Sequence, residues 1–296
     1  MTVVLSPETG VARGLLRTAR PRQWVKNVLV LTAPVAAGAI ADVDVLRGTA
    51  VAFVTFCIAA SGIYLVNDAR DVEEDRAHPV KSLRPIASGA VPVRAAWTGG
   101  VVLLVVAPLL ALLATPELCL VIAVYEVVQL AYCFGLKHEP VLELVSVASG
   151  FLLRAVAGGA ASGIPLSQWF LATAGFGSLF MAAGKRYAEA GLVERTGVRV
   201  RPALDGYTST YLRFVWTLSA GVALTTYSLW AFELQRSTSS SWGVVSVVPF
   251  VIGVLRYAID VDSGHAGEPE EIVLHDRVLL GVGAVWLLTL LLAVYV

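Results

Sequence analysis

The sequence predicts an all-α integral membrane bundle, and three observations carry that prediction. Of the 296 residues, 57% are hydrophobic and only 15% charged, with a mean hydropathy of +0.74, a composition outside the range of soluble globular domains. The apolar residues gather into stretches of about 20, the length of one bilayer crossing. The cations fall between those stretches and almost wholly on one side, which orients the bundle.

The stretches lie at 24–41, 47–67, 95–115, 117–136, 141–161, 166–186, 211–233, 242–260 and 277–296, nine crossings in a single membrane domain spanning 1–296. With 1–23 as a cytoplasmic N-terminal segment, the other inner segments are 68–94, 137–140, 187–210 and 261–276. Together with the adjoining helix ends they hold nineteen of the twenty-two Lys and Arg; Arg47 and Arg236 fall outside and Arg154 lies within a span. The positive-inside rule therefore places these segments at the cytoplasmic face of the cell membrane. Segment 1–23 is polar, carries Arg13, Arg17, Arg20 and Arg22, and lacks the apolar core of a cleavable signal, so the first span is expected to be retained. Zero net charge gives no basis for a nucleic-acid partner; the expected setting is the lipid bilayer. Assembly as a homo-oligomer is left open.

The first span opens on RPRQWVKN. Trp24 suits the membrane interface, while Lys26 and Asn27, one turn into an apolar segment, are expected to point into the bundle toward an anion. The second span ends in YLVNDARDVEEDR, the most informative stretch of the chain. On an uninterrupted helix Asn67, Asp68, Asp71 and Asp75 fall at roughly 0°, 100°, 40° and 80° around the axis, one arc about 100° wide. Three carboxylates on one face at a membrane-level helix end repel each other with little screening. A cation must sit there, and Mg²⁺ is the expected one, since it takes one or two carboxylates, keeps several waters and bridges to phosphate oxygens.

The inner loop continues HPVKSLRPIASG, and Lys81 and Arg84 supply the point charge and planar fork that a diphosphate requires. In the fifth span Arg154 lies far from either end, where a charge costs about 2.5 kcal/mol or more unless a partner accepts it; the expected partner is an acidic residue or a bound anion, with a structural ion pair as the competing account. Small residues, among them Gly150, Gly158, Gly159, Gly175 and Gly177, let helices approach closely. The sixth span ends in GKRYAEAGLVER, where Lys185, Arg186 and Tyr187 either form a second anion pocket or pair locally with Glu189 and Glu194. The last inner loop, with Asp260, Asp262, Glu268, Glu270, Glu271 and Asp276, is expected to be solvated. Cys57, Cys119 and Cys133 lie in spans as packing residues, and His78, His138, His265 and His275 show no zinc-ligand spacing.

The pattern Asn67-Asp68-x-x-Asp71-x-x-x-Asp75, followed by Arg84-Pro85-Ile86-x-Ser88-Gly89, resembles the first aspartate motif of the UbiA superfamily of membrane prenyltransferases. That resemblance implies a nine-helix UbiA-type bundle with a cytoplasmic active-site cavity that binds Mg²⁺ and a diphosphate. Members of the superfamily carry a second DxxxD motif at the sixth helix; here GKRYAE stands instead. Over nearly its whole length, through RPRQWVKNVLVL, YLVNDARDVEEDRAHP, QLAYCFGLKH, GSLFMAAGKRYAE, TSTYLRFVWTLSA and LRYAIDVD, the chain resembles the actinobacterial decaprenyl-phosphate phosphoribosyltransferase branch.

That branch implies phosphoribosyl pyrophosphate as donor and a polyprenyl (decaprenyl) phosphate as acceptor, in the service of cell-wall arabinan synthesis. Three anionic groups then meet in one cavity, which explains cations where relatives have carboxylates. Under this reading Asp68, Asp71 and Asp75, with Asn67, hold the metal. Lys26, Asn27, Lys81 and Arg84 hold the pyrophosphate, Lys185, Arg186 and Tyr187 the 5-phosphate or lipid phosphate, and Arg154 a substrate anion. The rivals are a prenyltransferase joining a prenyl diphosphate to an aromatic acceptor, and a secondary transporter, which requires polar groups near the bilayer midplane on several helices.

Overall fold

The computed structural model describes residues 10–196, 204, 206–263 and 275–296, the side chains of 194–196 excepted. Of the residues singled out above, His265, Glu268, Glu270, Glu271 and the side chain of Glu194 lie outside the described residues. Helices dominate, and no strand occurs among the described residues. In chain order they are α1 (Val11–Thr18), a 3-10 helix (Pro21–Leu31) running into α2 (Thr32–Ala36), α3 (Val43–Arg70), α4 (Val72–Ala77), α5 (Val93–Ala111), α6 (Pro116–Phe134), α7 (Leu142–Ser162), α8 (Gln168–Thr196), α9 (Ser209–Thr238), α10 (Trp242–Val245), α11 (Val247–Asp262) and α12 (Arg277–Tyr295).

Their ends follow local chemistry. The Asp42 carboxylate accepts from the Asp44 and Val45 amides at the start of α3, Thr115 caps α6 ahead of Pro116, and Thr208 and Asp276 cap α9 and α12, each satisfying amides that have no partner within the helix. Gly163, at φ +64°, closes α7 in the left-handed conformation that glycine adopts at little cost.

Among the described residues six helical stretches are long and apolar enough to cross a bilayer: α3, α5, α6, α7, Trp242–Asp262 and α12. The expected spans at 166–186 and 211–233 are also helical, as α8 and α9, but small and polar residues such as Thr173, Gly175, Ser178 and Thr225 dilute their apolarity. The first expected span departs most. Its N-terminal part is a 3-10 helix of eleven residues, an unusual length for that conformation.

Helix α3 is apolar on all sides and two-thirds buried across its apolar window, so it forms the centre of the bundle. Phe56, Ala59 and Ile63 pack against Ala107 and Ala111 of α5, Ile122 and Tyr125 of α6, and Ala157 of α7. A second core joins α7, α8, α9 and α11 through Leu144, Phe180, Trp216 and Tyr257. Val101, Val105 and Leu109 of α5 and Leu120, Val124 and Val127 of α6 are exposed, an apolar outer surface suited to lipid chains. The chain is a multi-pass membrane protein.

Close approach of the 3-10 helix to α7 depends on Gly158. A Cβ there would collide with the Val30 carbonyl oxygen, and backbone cannot yield as a flexible side-chain tip does. Gly158→Ala is expected to lower thermal stability in detergent by roughly 1–3 kcal/mol. Gly177→Ala, in a helix where a Cβ meets nothing within 4 Å, is expected to leave the melting temperature unchanged or raised.

Candidate functional site

The acidic stretch is not one continuous helix. Helix α3 ends at Arg70, Asp71 leaves helical geometry at φ −87°, ψ 13°, and α4 restarts at Val72. The single acidic face expected from helical phase is therefore broken, and the carboxylates divide into two groups.

Asp68 and Asp75 still converge, and both are buried, at 3% and 2% exposure. One atom brings them together: Nη1 of Arg84 donates to Asp68 Oδ1 at 3.2 Å and to Asp75 Oδ2 at 2.7 Å. Arg20 adds a second donor to Asp68 Oδ1 at 2.7 Å, with its guanidinium stacked over the Tyr64 ring. Asn67 donates to the same oxygen at 3.4 Å. Burial pushes the Asp75 carboxyl above the ordinary aspartate value, and the Arg84 charge and hydrogen bond pull it back.

Asp71 faces elsewhere. Lys137, in the short connection between α6 and α7, places its ammonium 2.7 Å from both Asp71 oxygens. Arg70 binds the Cys133 and Phe134 carbonyls at the end of α6, which satisfies acceptors that the helix leaves open. Three carboxylates are thus matched by three cations: Arg20, Arg84 and Lys137.

Beside Asp68 opens a cleft of about 440 Å³ lined by Arg17, Thr18, Arg20, Val80, Lys81, Leu83, Arg84 and Pro85. Four cations against one carboxylate give it a cationic lining. The loop that carries Lys81 and Arg84 is anchored by Ile86, Ala87 and Val91, buried against Leu65, Ala69 and Val72, and by Arg76 Nε donating to the Ala87 carbonyl. Arg20 and Arg84 remain about a third exposed, so their guanidinium groups touch both the buried carboxylates and the open cleft.

The carboxylate pair also answers whether the chain fits a divalent metal. Oxygens of Asp68 and Asp75 already meet at a single cationic atom, and hard oxygen donors of that number suit Mg²⁺ completed by water and phosphate. Among the described residues no group of three His, Cys, Asp or Glu is arranged around one metal position, so the expected three-carboxylate face reduces to two convergent carboxylates, with Asp71 held by Lys137.

Several expected ligands are placed differently. Asn27 is fully buried and points away from the cleft, accepting from Arg154 Nε at 2.8 Å and donating to Cys57 Sγ at 3.2 Å. Lys26 lies 5.9 Å from the centre of the Phe151 ring. Arg154, 7% exposed, has no carboxylate partner among the described residues. It is satisfied by Asn27, the Gly150 carbonyl, the Tyr125 hydroxyl and the faces of Phe56 and Tyr125.

Arg186 is sealed rather than offered to a phosphate. Nε donates to Glu143 Oε1 at 2.8 Å, Nη2 binds the same oxygen, and Nη1 binds Glu189 at 2.9 Å. Lys185 beside it is half-buried. Tyr187 stacks on Trp216, accepts from Arg213 at 2.6 Å and donates to Asp262 at 3.0 Å. Asp276 caps α12 and pairs with Arg256, so this part of the last inner loop is bonded rather than merely solvated.

Sequence reasoning missed Arg20, Lys137 and Glu143 as partners. Lys137 is 66 residues from Asp71, a separation without local signal, whereas Glu143, a charge one residue into an apolar helix, offered the hint that buried charges require partners.

Comparison with known proteins agrees with this architecture. The family model described as "UbiA prenyltransferase family" matches residues 28–275. The chain is 54% identical to a decaprenyl-phosphate phosphoribosyltransferase of Mycolicibacterium smegmatis, over 98% of this chain and 95% of that one. It is 56% identical to the protein of the same description from Mycobacterium tuberculosis, over 97% and 96% of the two chains. A solved UbiA homolog from Archaeoglobus fulgidus bound to DMAPP and Mg²⁺ superposes with a TM-score of 0.70 at 16% identity, covering 95% of this chain and 99% of that one, which shows the shared fold. With its apolar helices, its paired aspartates and these matches, the chain belongs to the UbiA prenyltransferase family.

Proposed function

We propose that this chain is a decaprenyl-phosphate phosphoribosyltransferase. It transfers the 5-phosphoribosyl group of phosphoribosyl pyrophosphate to the phosphate of a decaprenyl (polyprenyl) phosphate and releases pyrophosphate, at the cytoplasmic face of the cell membrane. The product would serve cell-wall arabinan synthesis. The observation that carries the reading is identity above half, over nearly the full length, to proteins of that description. The cation-lined cleft supports it, because the donor brings a diphosphate and a 5-phosphate and the acceptor a third anionic head.

The residues divide the work by position. Arg84 binds its two aspartates through Nη1 alone, so among the described residues Nε and Nη2 remain for phosphate oxygens, as a five-donor guanidinium allows. Arg20 likewise spends only Nη2 on Asp68. Lys81 and Arg17 also line the cleft and complete a cationic cradle for the leaving pyrophosphate. Asp68 and Asp75, with Asn67 beside them, would hold Mg²⁺, and Asp71 would join them on leaving Lys137. The metal fits this donor set and would supply positive charge to the departing pyrophosphate.

As the C1–oxygen bond of the ribose lengthens, the ring gains oxocarbenium character. An oxygen of the lipid phosphate attacks from the opposite face, giving inversion and a β-linked product. The acceptor is already ionised near neutral pH, so the cleft requires no strong general base, and among the described residues lining it the only carboxylate is Asp68. Lys185, half-buried beside the sealed Arg186, serves the 5-phosphate or the lipid phosphate.

Purified protein supplied with labelled phosphoribosyl pyrophosphate and decaprenyl phosphate is expected to form a phosphoribosylated lipid, and to form no product from a prenyl diphosphate with an aromatic acid. The converse result sinks the assignment in favour of a prenyltransferase. Asp75→Asn and Asp71→Asn are each expected to lower kcat/KM on the order of 100-fold or more while the melting curve stays cooperative. Chelation should abolish turnover and added Mg²⁺ restore it. Arg84→Gln is expected to raise KM for phosphoribosyl pyrophosphate about tenfold or more, as removal of a charge-assisted phosphate contact does.

A further inference from the structure

The first crossing is built in a conformation that does not persist unaided. Eleven consecutive residues, Pro21–Leu31, are wound as a 3-10 helix, although runs beyond three or four residues are uncommon because the hydrogen-bond geometry is poorer. With three residues per turn its side chains fall into three rows. Trp24, Asn27 and Val30 face inward, with Asn27 and Val30 fully buried; Gln23, Lys26 and Leu29 are half-buried; Arg22, Val25 and Val28 are the outer row.

The inward row is fixed at every turn. Trp24 Nε1 donates to Ser61 Oγ at 3.2 Å, Asn27 bonds Arg154 and Cys57, and the Val30 carbonyl lies against Gly158. Among these fixings only Arg154 brings a charge, and it gathers four elements: Asn27 of the 3-10 helix, Phe56 of α3, Tyr125 of α6 and its own α7. Its acceptors are all neutral, so the cation is placed by geometry rather than by an ion pair.

We infer that Arg154 is a positioning residue that, through Asn27, holds the first crossing in the extended 3-10 form and thereby delivers Arg20 to Asp68. Arg20 is the residue just before the 3-10 helix, at φ +54°, seven residues ahead of Asn27. Rewinding those seven residues as α-helix would shorten the run by roughly 3.5 Å and rotate its start by about 140° relative to Asn27. Either change breaks the 2.7 Å contact between Arg20 and Asp68 and withdraws a cation from the cleft. Arg154 therefore acts on donor binding without touching the donor.

The kinetic part of the test rests on the phosphoribosyl-transfer reading. Arg154→Met keeps a long apolar side chain and removes every donor. It is expected to raise KM for phosphoribosyl pyrophosphate about tenfold while kcat changes less than about threefold. Adding Arg20→Ala to it should cost less than about a further twofold, although Arg20→Ala alone costs about tenfold. General loss of packing would lower stability and kcat without this coupling to Arg20. Amide hydrogen exchange across 21–31, measured without substrate, is expected to be faster in the variant than in wild type, with exchange in α6 unaltered.

A folded Arg154→Met protein with KM within about twofold of wild type, or one on which Arg20→Ala exerts its full effect, overturns the inference. If that variant does not fold, Asn27→Asp, which keeps an acceptor for Arg154, should retain KM while Asn27→Ala loses it; equal behaviour of the two overturns the inference. Should the wild-type chain transfer no phosphoribosyl group, the functional reading fails by itself. The exchange comparison then still decides the clamp, and unaltered exchange across 21–31 overturns it.

Discussion

Neutralisation of three aspartates at one end of a membrane bundle is the constraint on which the rest of the structure depends. Asp68 and Asp75 are nearly inaccessible to water, and buried carboxylates that stay ionised must be paired and hydrogen-bonded. The chain supplies those cations from three separate places: Arg20 ahead of the 3-10 helix, Arg84 in the loop after α4, and Lys137 between α6 and α7. Each pairing therefore also closes tertiary structure. Arg84 folds the 78–92 loop back over α3, Lys137 ties the α6–α7 connection to the break after α3, and Arg20 seats the N-terminal segment. Removing one partner would leave a buried charge unpaired, which costs far more than the pair itself contributes.

The two charged clusters at this end of the bundle differ in a way that sorts binding from architecture. Arg20 and Arg84 keep about a third of their side-chain surface exposed and use one nitrogen each on carboxylate. Arg186 is almost wholly enclosed and uses all three nitrogens on Glu143 and Glu189, so it presents no open edge to a substrate. A guanidinium with spare donors at the rim of a cleft can bind an anion without losing its own fixing, whereas an enclosed one cannot reach it. For this reason the cation-for-carboxylate exchange at the end of α8 reads as helix-to-helix bracing at Arg186.

Much of this was legible in the sequence, for physical reasons that particular residues show. Apolar length located the helices because a bilayer crossing fixes a minimum run, and the acidic stretch announced a cation site because like charges at a membrane surface demand one. Two placements differ and one partner was missed where local rules give way to tertiary ones. Helical phase placed Asp71 with Asp68 and Asp75, but the helix breaks at Asp71, which a periodicity argument cannot detect without a Gly or Pro to mark it. Arg154 was expected to meet an acidic residue or a bound anion; among the described residues it meets three neutral acceptors and two aromatic faces. Lys137 gave no signal, because its partner lies 66 residues away and it resembled any positive residue beside a span.

The charge arithmetic of the cleft explains how a chain of zero net charge presents a locally cationic surface at one end of the bundle. Arg20, Arg84 and Lys137 balance the three aspartates, which leaves Arg17 and Lys81 uncompensated within the cleft lining. A local excess of two positive charges beside low-dielectric helix ends focuses potential outward more effectively than the same charges spread over a solvated surface. The aspartates are then not a source of repulsion for phosphate, since each is screened at contact distance by its own cation. What the bundle contributes is placement: the central α3 fixes Asp68, and the cations paired with the aspartates, Arg20, Arg84 and Lys137, come from the connections between helices.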